Sequence, residues 1–355
     1  MPVPSEASVT WDEPDAPVLV ARRESVLHIR LNRPKALNSL TLEMVEIVTA
    51  ALDRAGRDDA VGLVVIDGAG ERGFCAGGDI RAVSDSGRAG DGLAEAFWRA
   101  EYAVNARIAA FPKPYVAFMD GITMGGGVGL SAHGSHRIVT ERTRLAMPET
   151  GIGFIPDVGG TWLLAHAPGE TGTYMGLTGN SVDAADAIFT GFADYLVPST
   201  SWSGLVTALL ALPPSATGAD VDRVIAEFRR PAGAPTLSAQ QRLIDRLMIG
   251  DDASALIDEL KSDGSAFALE TAETILSRSP TSVKVTLALL RRARLASSLK
   301  VCLDWEYAAA CQTLRGHDFY EGVRAAVIDK DRNPQWSPRT LSEVDAAAIA
   351  AHLRI

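Results

Sequence analysis

Glycine fills four of the five positions from 125 to 129, shortly after the apolar run Tyr115-Val116-Ala117-Phe118-Met119. A short continuous apolar run reads as a buried strand, and Val128 to His133 reads as the beginning of a helix. Tight packing of a helix on a strand needs one or two residues without a Cβ. Four such residues leave bare main-chain N–H groups at a helix mouth, where negative charge is favoured. The segment therefore commits the chain to a strand–loop–helix unit whose backbone faces either a neighbouring element or a ligand.

Similar units recur along the first two hundred residues. Val18–Val20 and Val26–Leu31 read as a strand pair turning at Arg23-Glu24-Ser25, and Arg33-Pro34-Lys35 ends the second strand. Thr41 opens a helix with apolar positions at Leu42, Val45, Val48 and Leu52, a helical period. Residues 62–66 form another buried strand, followed by a Gly-bearing loop from Gly68 to Gly78. A helix over Leu93–Ala110 must end before Phe111-Pro112-Lys113-Pro114, and Arg137–Val139 is a further strand. This alternation predicts an α/β fold. After Pro213-Pro214 the pattern turns helical over 219–355. The sequence thus predicts a flexible extension over 1–17, a core over 18–212 that holds the active site, and a helical region over 213–355.

Composition excludes several classes of function. The formal net charge of −10 disfavours nucleic acid as the main partner. No apolar stretch approaches the length of a membrane span, and Met1–Pro17 lacks the pattern of a signal peptide. Cys75, Cys302 and Cys311 are too few and too scattered for a disulfide framework. Together these features predict a cytoplasmic protein that works on a small molecule.

Two carboxylates stand out. Glu149 lies between Ala146-Met147-Pro148 and Gly151-Ile152-Gly153-Phe154, an apolar setting for an acid, and Asp157 follows eight residues later. Asp157 can instead be the N-cap of the helical string that follows it. The loop Phe74-Cys75-Ala76-Gly77-Gly78-Asp79-Ile80 is a second Gly-bearing turn after a strand. Main-chain amides from two such loops, those of Gly78 and Gly126, are candidates for an oxyanion hole, and Asp79 is a candidate helix cap. A dinucleotide loop is excluded because Gly125, Gly127 and Leu130 do not complete G-x-G-x-x-G, and no Gly-Lys-Ser/Thr is present for a P-loop. Ser131, His133 and His136 lack the G-x-S-x-G turn of a serine hydrolase. The six histidines show no metal-ligand spacing, so no metal is predicted.

These residues resemble the crotonase (enoyl-CoA hydratase/isomerase) superfamily, and within it the 3-hydroxyisobutyryl-CoA hydrolase branch. The matching segments are Arg33–Asn38, Phe74–Ile80, Gly121–Ser131, Ala146–Gly160 and Glu321–Asp331. The resemblance implies a spiral of ββα units followed by a helical C-terminal region that serves as a lid or in oligomerisation. Hydratases of this fold carry a catalytic Glu two residues after the Gly triplet. That place is Gly129 here, while Asp157 stands where hydratases ordinarily have Gly. The implied reaction is hydrolysis of 3-hydroxyisobutyryl-CoA to 3-hydroxyisobutyrate and CoA, a step of valine degradation. Glu149 would attack the thioester or activate water, and Asp157 would orient the substrate or assist proton transfer. Glu101 matches a substrate-contacting acid of the branch, although it reads equally as a solvent-facing helix residue. CoA would lie along Lys35, Ala36, Ala76, Gly77, Asp79 and Ile80. The resemblance implies no metal or redox cofactor, CoA being part of the substrate, and a homo-oligomer, trimer or hexamer. Two alternatives stay open: a hydratase or isomerase of the same fold, and a non-catalytic acyl-CoA-binding module.

Overall fold

The computed structural model describes residues 11–354. They divide into two compact units, one of residues 11–78, 103–145 and 182–235, the other of residues 79–102, 146–181 and 236–354.

The first unit is built on β1 (Val18–Arg23), β2 (Val26–Leu31), β3 (Leu63–Gly68), β4 (Gly73–Cys75), β5 (Tyr115–Met119), β6 (Ile122–Met124), β7 (His136–Val139), β8 (Arg144–Ala146) and β9 (Tyr195–Leu196). One sheet runs in the order β1-β2-β3-β5-β7-β9 and a smaller one in the order β4-β6-β8. β1 and β2 are an antiparallel pair turning at Glu24, and from β2 onward the larger sheet is parallel. Val65 lies in register with His28 on one side and Val116 on the other. Strands buried on both faces need apolar side chains on both, which is why β5 and most of β3 read as unbroken apolar runs. The helix Leu42–Arg57 starts where expected, with the Thr41 side chain accepting from the Met44 amide, and it buries Met44, Val45, Val48 and Leu52. The strands of the smaller sheet are three residues each, too short to show any periodicity in sequence.

The helix expected over 128–133 spans Gly126–Ser131. Gly125, at φ 49°, precedes it in the left-handed region, which glycine tolerates freely. A Cβ on Gly127 would collide with the Cys75 carbonyl oxygen. Gly127 therefore serves close packing on β4, while Gly126, the first helical residue, carries an N–H with no acceptor inside the helix.

Compactness does not follow the linear division at 212/213. The helix Gly218–Phe228 groups with the first unit because Val221 and Ile225 pack into one apolar cluster with Leu63, Val65, Val116, Ile138 and Trp202. Of the extension, residues 1–10 lie outside the described residues. Trp11–Pro17 is tied down: the Trp11 ring lies 5.2 Å from that of His28, and the Asp12 amide donates to the Val20 carbonyl at 2.9 Å.

The second unit is helical. Its principal helices are Ile80–Ala89, Thr236–Leu247, Ala253–Asp263, Ala266–Leu276, Pro280–Ala293 and Leu299–Thr313, with the short helices Gly160–Ala165 and Thr171–Thr178 packed against Pro280–Ala293. Among the described residues no helix is long and apolar enough to cross a membrane.

Candidate active site

In the first unit the two Gly-bearing loops converge. Gly77 adopts φ 104°, and a Cβ there would stand 3.3 Å from the Met124 carbonyl oxygen and 3.7 Å from the Gly126 nitrogen. The Gly77 carbonyl accepts from the Leu40 amide at 2.8 Å and the Ala76 amide donates to the Leu37 carbonyl at 3.0 Å. This zips the loop to residues 37–40, with Leu40 and Gly78 bridged in parallel. Asn38, buried and at φ 55°, fastens the other side, its side-chain amide reaching the carbonyls of Ala69, Gly73 and Phe74 at 3.0, 3.2 and 3.1 Å. Lys35 and Ala36 are exposed on the turn Pro34–Ala36, whose Pro34 and Lys35 carbonyls accept from Arg72 at 2.9 and 3.1 Å. Ala76 is half-buried and Gly77 buried, on the same loop.

In the second unit, acids from distant parts of the chain share one buried region. Glu149 opens a 3₁₀ turn, Glu149–Ile152, directly after Pro148. It is 5 % exposed, and its Oε2 is buried without a hydrogen-bond partner. Asp157 is equally buried, and its Oδ2 accepts from the Tyr102 hydroxyl at 2.7 Å. Glu101 is 2 % exposed, with a buried Oε1 that also lacks a partner, so the solvent-facing alternative for this residue falls. Burial, then the neighbouring Asp157 charge, holds the Glu149 and Glu101 carboxyls well above the usual range. Burial pushes Asp157 up to about 7, against the Tyr102 hydroxyl and a backbone donor that pull it down. Nearby, Trp98 stacks on Phe154 at 5.3 Å and Phe154 meets Phe319 at 5.5 Å, which adds apolar surroundings.

The N-cap alternative for Asp157 also falls. Gly159 is the N-cap of Gly160–Ala165, and the carboxylate at that helix end belongs to Glu306. Asp79 does cap the helix Ile80–Ala89, accepting from the Ala82 amide at 3.4 Å, and Ile80 is half-buried as its first residue. Tyr102 and Glu306 escaped the sequence reading. Tyr102 looks like any apolar helix residue, and Glu306 sits in an Ala-rich helical stretch far along the chain with no local sign of what it meets. Among the described residues no group of three or more His, Cys, Asp or Glu is arranged to hold a metal ion.

Residues 26–353 match the family model for enoyl-CoA hydratase/isomerase, and the chain belongs to that family. It is 44% identical to a Danio rerio protein named 3-hydroxyisobutyryl-CoA hydrolase, mitochondrial, over 89% of this chain and 84% of the relative. A Homo sapiens protein of the same name is 39% identical over 95% of this chain and 88% of its own length. Two solved structures superpose along almost the whole chain. One is titled a carnitinyl-CoA dehydratase from Mycobacterium thermoresistibile: 44% identity, 96% of this chain and 97% of that one, TM-score 0.91. The other is titled an enoyl-CoA hydratase from Rhodobacter sphaeroides: 42% identity, 95% and 97% coverage, TM-score 0.88. The fold is that of the crotonase superfamily, as the sequence resemblance implied.

Proposed function

We propose that this protein hydrolyses the thioester of 3-hydroxyisobutyryl-CoA to 3-hydroxyisobutyrate and CoA. One observation carries the reading: the buried Glu149 carboxyl, with an unpartnered oxygen, shares its region with an Asp157 anchored by Tyr102, while the helix Gly126–Ser131 offers Gly129 where a water-adding enzyme of this fold places its second acid. The names of the Danio rerio and Homo sapiens relatives support the same reaction.

The Gly78 and Gly126 amides take the developing charge of the thioester oxygen, each such donor being worth about 10²–10³ in rate. Glu149 either attacks the thioester carbon, expelling the CoA thiolate and leaving an acyl-enzyme anhydride for water to open, or takes a proton from the attacking water. A single turnover in H₂¹⁸O separates these routes, because opening the anhydride at the enzyme carbonyl leaves the label in Glu149. Asp157 and Glu101 engage the substrate hydroxyl. CoA lies along Lys35, Ala36, Ala76, Gly77, Asp79 and Ile80, with no metal or redox group taking part.

Thiol release from a panel of acyl-CoAs, with Glu149→Gln as control, tests the proposal. Release from 3-hydroxyisobutyryl-CoA that disappears in the variant is the expected result. Gain of enoyl absorbance from a hydroxyacyl-CoA, or its loss from an enoyl-CoA, without thiol release would favour instead the dehydratase or hydratase chemistry that the two solved structures are named for. The proposal extends to a cytoplasmic location, although the curated relatives are named mitochondrial, and to a homo-oligomer, trimer or hexamer. Cell fractionation and light scattering check these two points.

A further inference from the structure

The turn that presents Asp157 runs through two consecutive left-handed residues, Val158 at φ 54° and Gly159 at φ 78°. For Gly this conformation is free. For a β-branched side chain it is strained and persists only where the surroundings over-determine it. Val158 is fully buried, so solvent does nothing to hold the turn.

Glu306, from the helix Leu299–Thr313, provides the hold. Its carboxylate accepts from the Gly159 amide at 2.7 Å, the Thr161 amide at 2.9 Å and the Thr161 hydroxyl at 2.5 Å. The Asp157 carbonyl meanwhile accepts from the Gly160 amide at 2.6 Å. Asp157 is thus fixed from two directions, by Tyr102 at its carboxylate and by Glu306 through Gly159 and Thr161. Burying an acid is expensive, and burial pushes the Glu306 carboxyl up to about 8 although three donors pull it down.

We infer that Glu306 is a positioning residue for the reaction: by pinning the Val158–Gly159 turn it fixes where the Asp157 carboxylate stands. The titratable groups that face Asp157 are Tyr102, Glu101, Glu149 and Glu306, and Cys302 faces Glu306 from its own helix. The kinetic part of the test rests on the thioesterase proposal; the titration part does not.

Two variants loosen the hold. Glu306→Gln replaces an acceptor oxygen by a donor, and Thr161→Val removes one of the three bonds without changing charge. Displacing a reacting group by about 1 Å costs about 10² in rate. In thiol release from 3-hydroxyisobutyryl-CoA, kcat is expected to fall about 10²-fold in Glu306→Gln and about 10-fold in Thr161→Val, with KM within twofold. Without substrate, the Asp157 carboxyl, followed by ¹³C NMR and assigned with Asp157→Asn, is expected to titrate about half a unit to one unit lower in Thr161→Val, as water reaches a loosened turn. A lowered Tm with kcat and the Asp157 titration unchanged would overturn the inference and leave Glu306 a structural cap. Should Glu306→Gln fail to fold, Thr161→Val decides. Should the wild type release no thiol, the functional proposal fails and the titration alone judges Glu306.

Discussion

In the first unit the candidate reactive groups are main-chain amides, those of Gly78 and Gly126, held by loops that zip to neighbouring backbone. In the second unit they are side-chain carboxyls, Glu101, Glu149 and Asp157, buried with few donors to satisfy them. The first arrangement is compatible with stability, because close backbone packing and hydrogen-bonded loops are what a fold needs anyway. The second works against it, since like charges and desolvation raise the free energy of the ionised state. The two sets of candidate groups therefore differ in how substitutions will act on them.

Glu149→Gln should give the largest effect: thiol release reduced by about 10³-fold or more, the usual range for a missing base or nucleophile, with KM little changed. A variant that keeps a tenth of wild-type kcat would remove Glu149 from the chemistry. Asp157→Asn tests the conflict with stability. The Asp157 carboxyl is raised to about 7 in the folded protein against an ordinary Asp near 3.9. The native state accordingly holds a proton that the unfolded chain has released between those values. Stability from this group is full below about pH 4 and declines by about 1.4 kcal/mol per unit as pH rises to 7. Asn cannot ionise, so Asp157→Asn should melt higher than wild type at pH 8 while losing activity. Equal or lower Tm at pH 8 would deny that the carboxyl is held at a cost.

Gly127→Ala probes the other unit. The new methyl would collide with the Cys75 carbonyl oxygen, and overpacking of this kind costs about 1–3 kcal/mol. Chemical denaturation should show the loss; an unchanged midpoint would mean that helix and strand part easily. Tyr102→Phe should have the smallest effect, a few-fold fall in kcat/KM. Its hydroxyl stabilises the Asp157 carboxylate, so the limb of the pH profile near 7 should move upward in the variant. A limb that stays or moves down would break the Tyr102–Asp157 link.

Much of the first unit was legible because its signals are local. The apolar runs of β3 and β5, the Thr41 cap and the Gly clusters each declare themselves within a few residues. The helix Gly126–Ser131 began two residues earlier than its side chains suggested, since glycines give no periodicity. The helix Gly218–Phe228 groups with the first unit through Val221 and Ile225, a packing choice no linear boundary expresses. At the site, Glu149 showed itself by an apolar setting and Asp157 by its place in a family pattern. Glu101 could not be told from a surface acid until its burial was seen, and the cap suspected of Asp157 proved to be Glu306.

The sequence alone determined the α/β alternation, the family, the bare amides at two turns and the replacement of one acid by Gly129 with another at position 157. All of these depend on residue type and short spacing, which survive any global arrangement. The tertiary structure decided which acids are buried, which hydroxyl and carboxylate hold Asp157, and that residues 101, 149, 157 and 306 come together. Desolvation and hydrogen-bond geometry depend on what surrounds a group in space, and those neighbours lie up to two hundred residues apart along the chain.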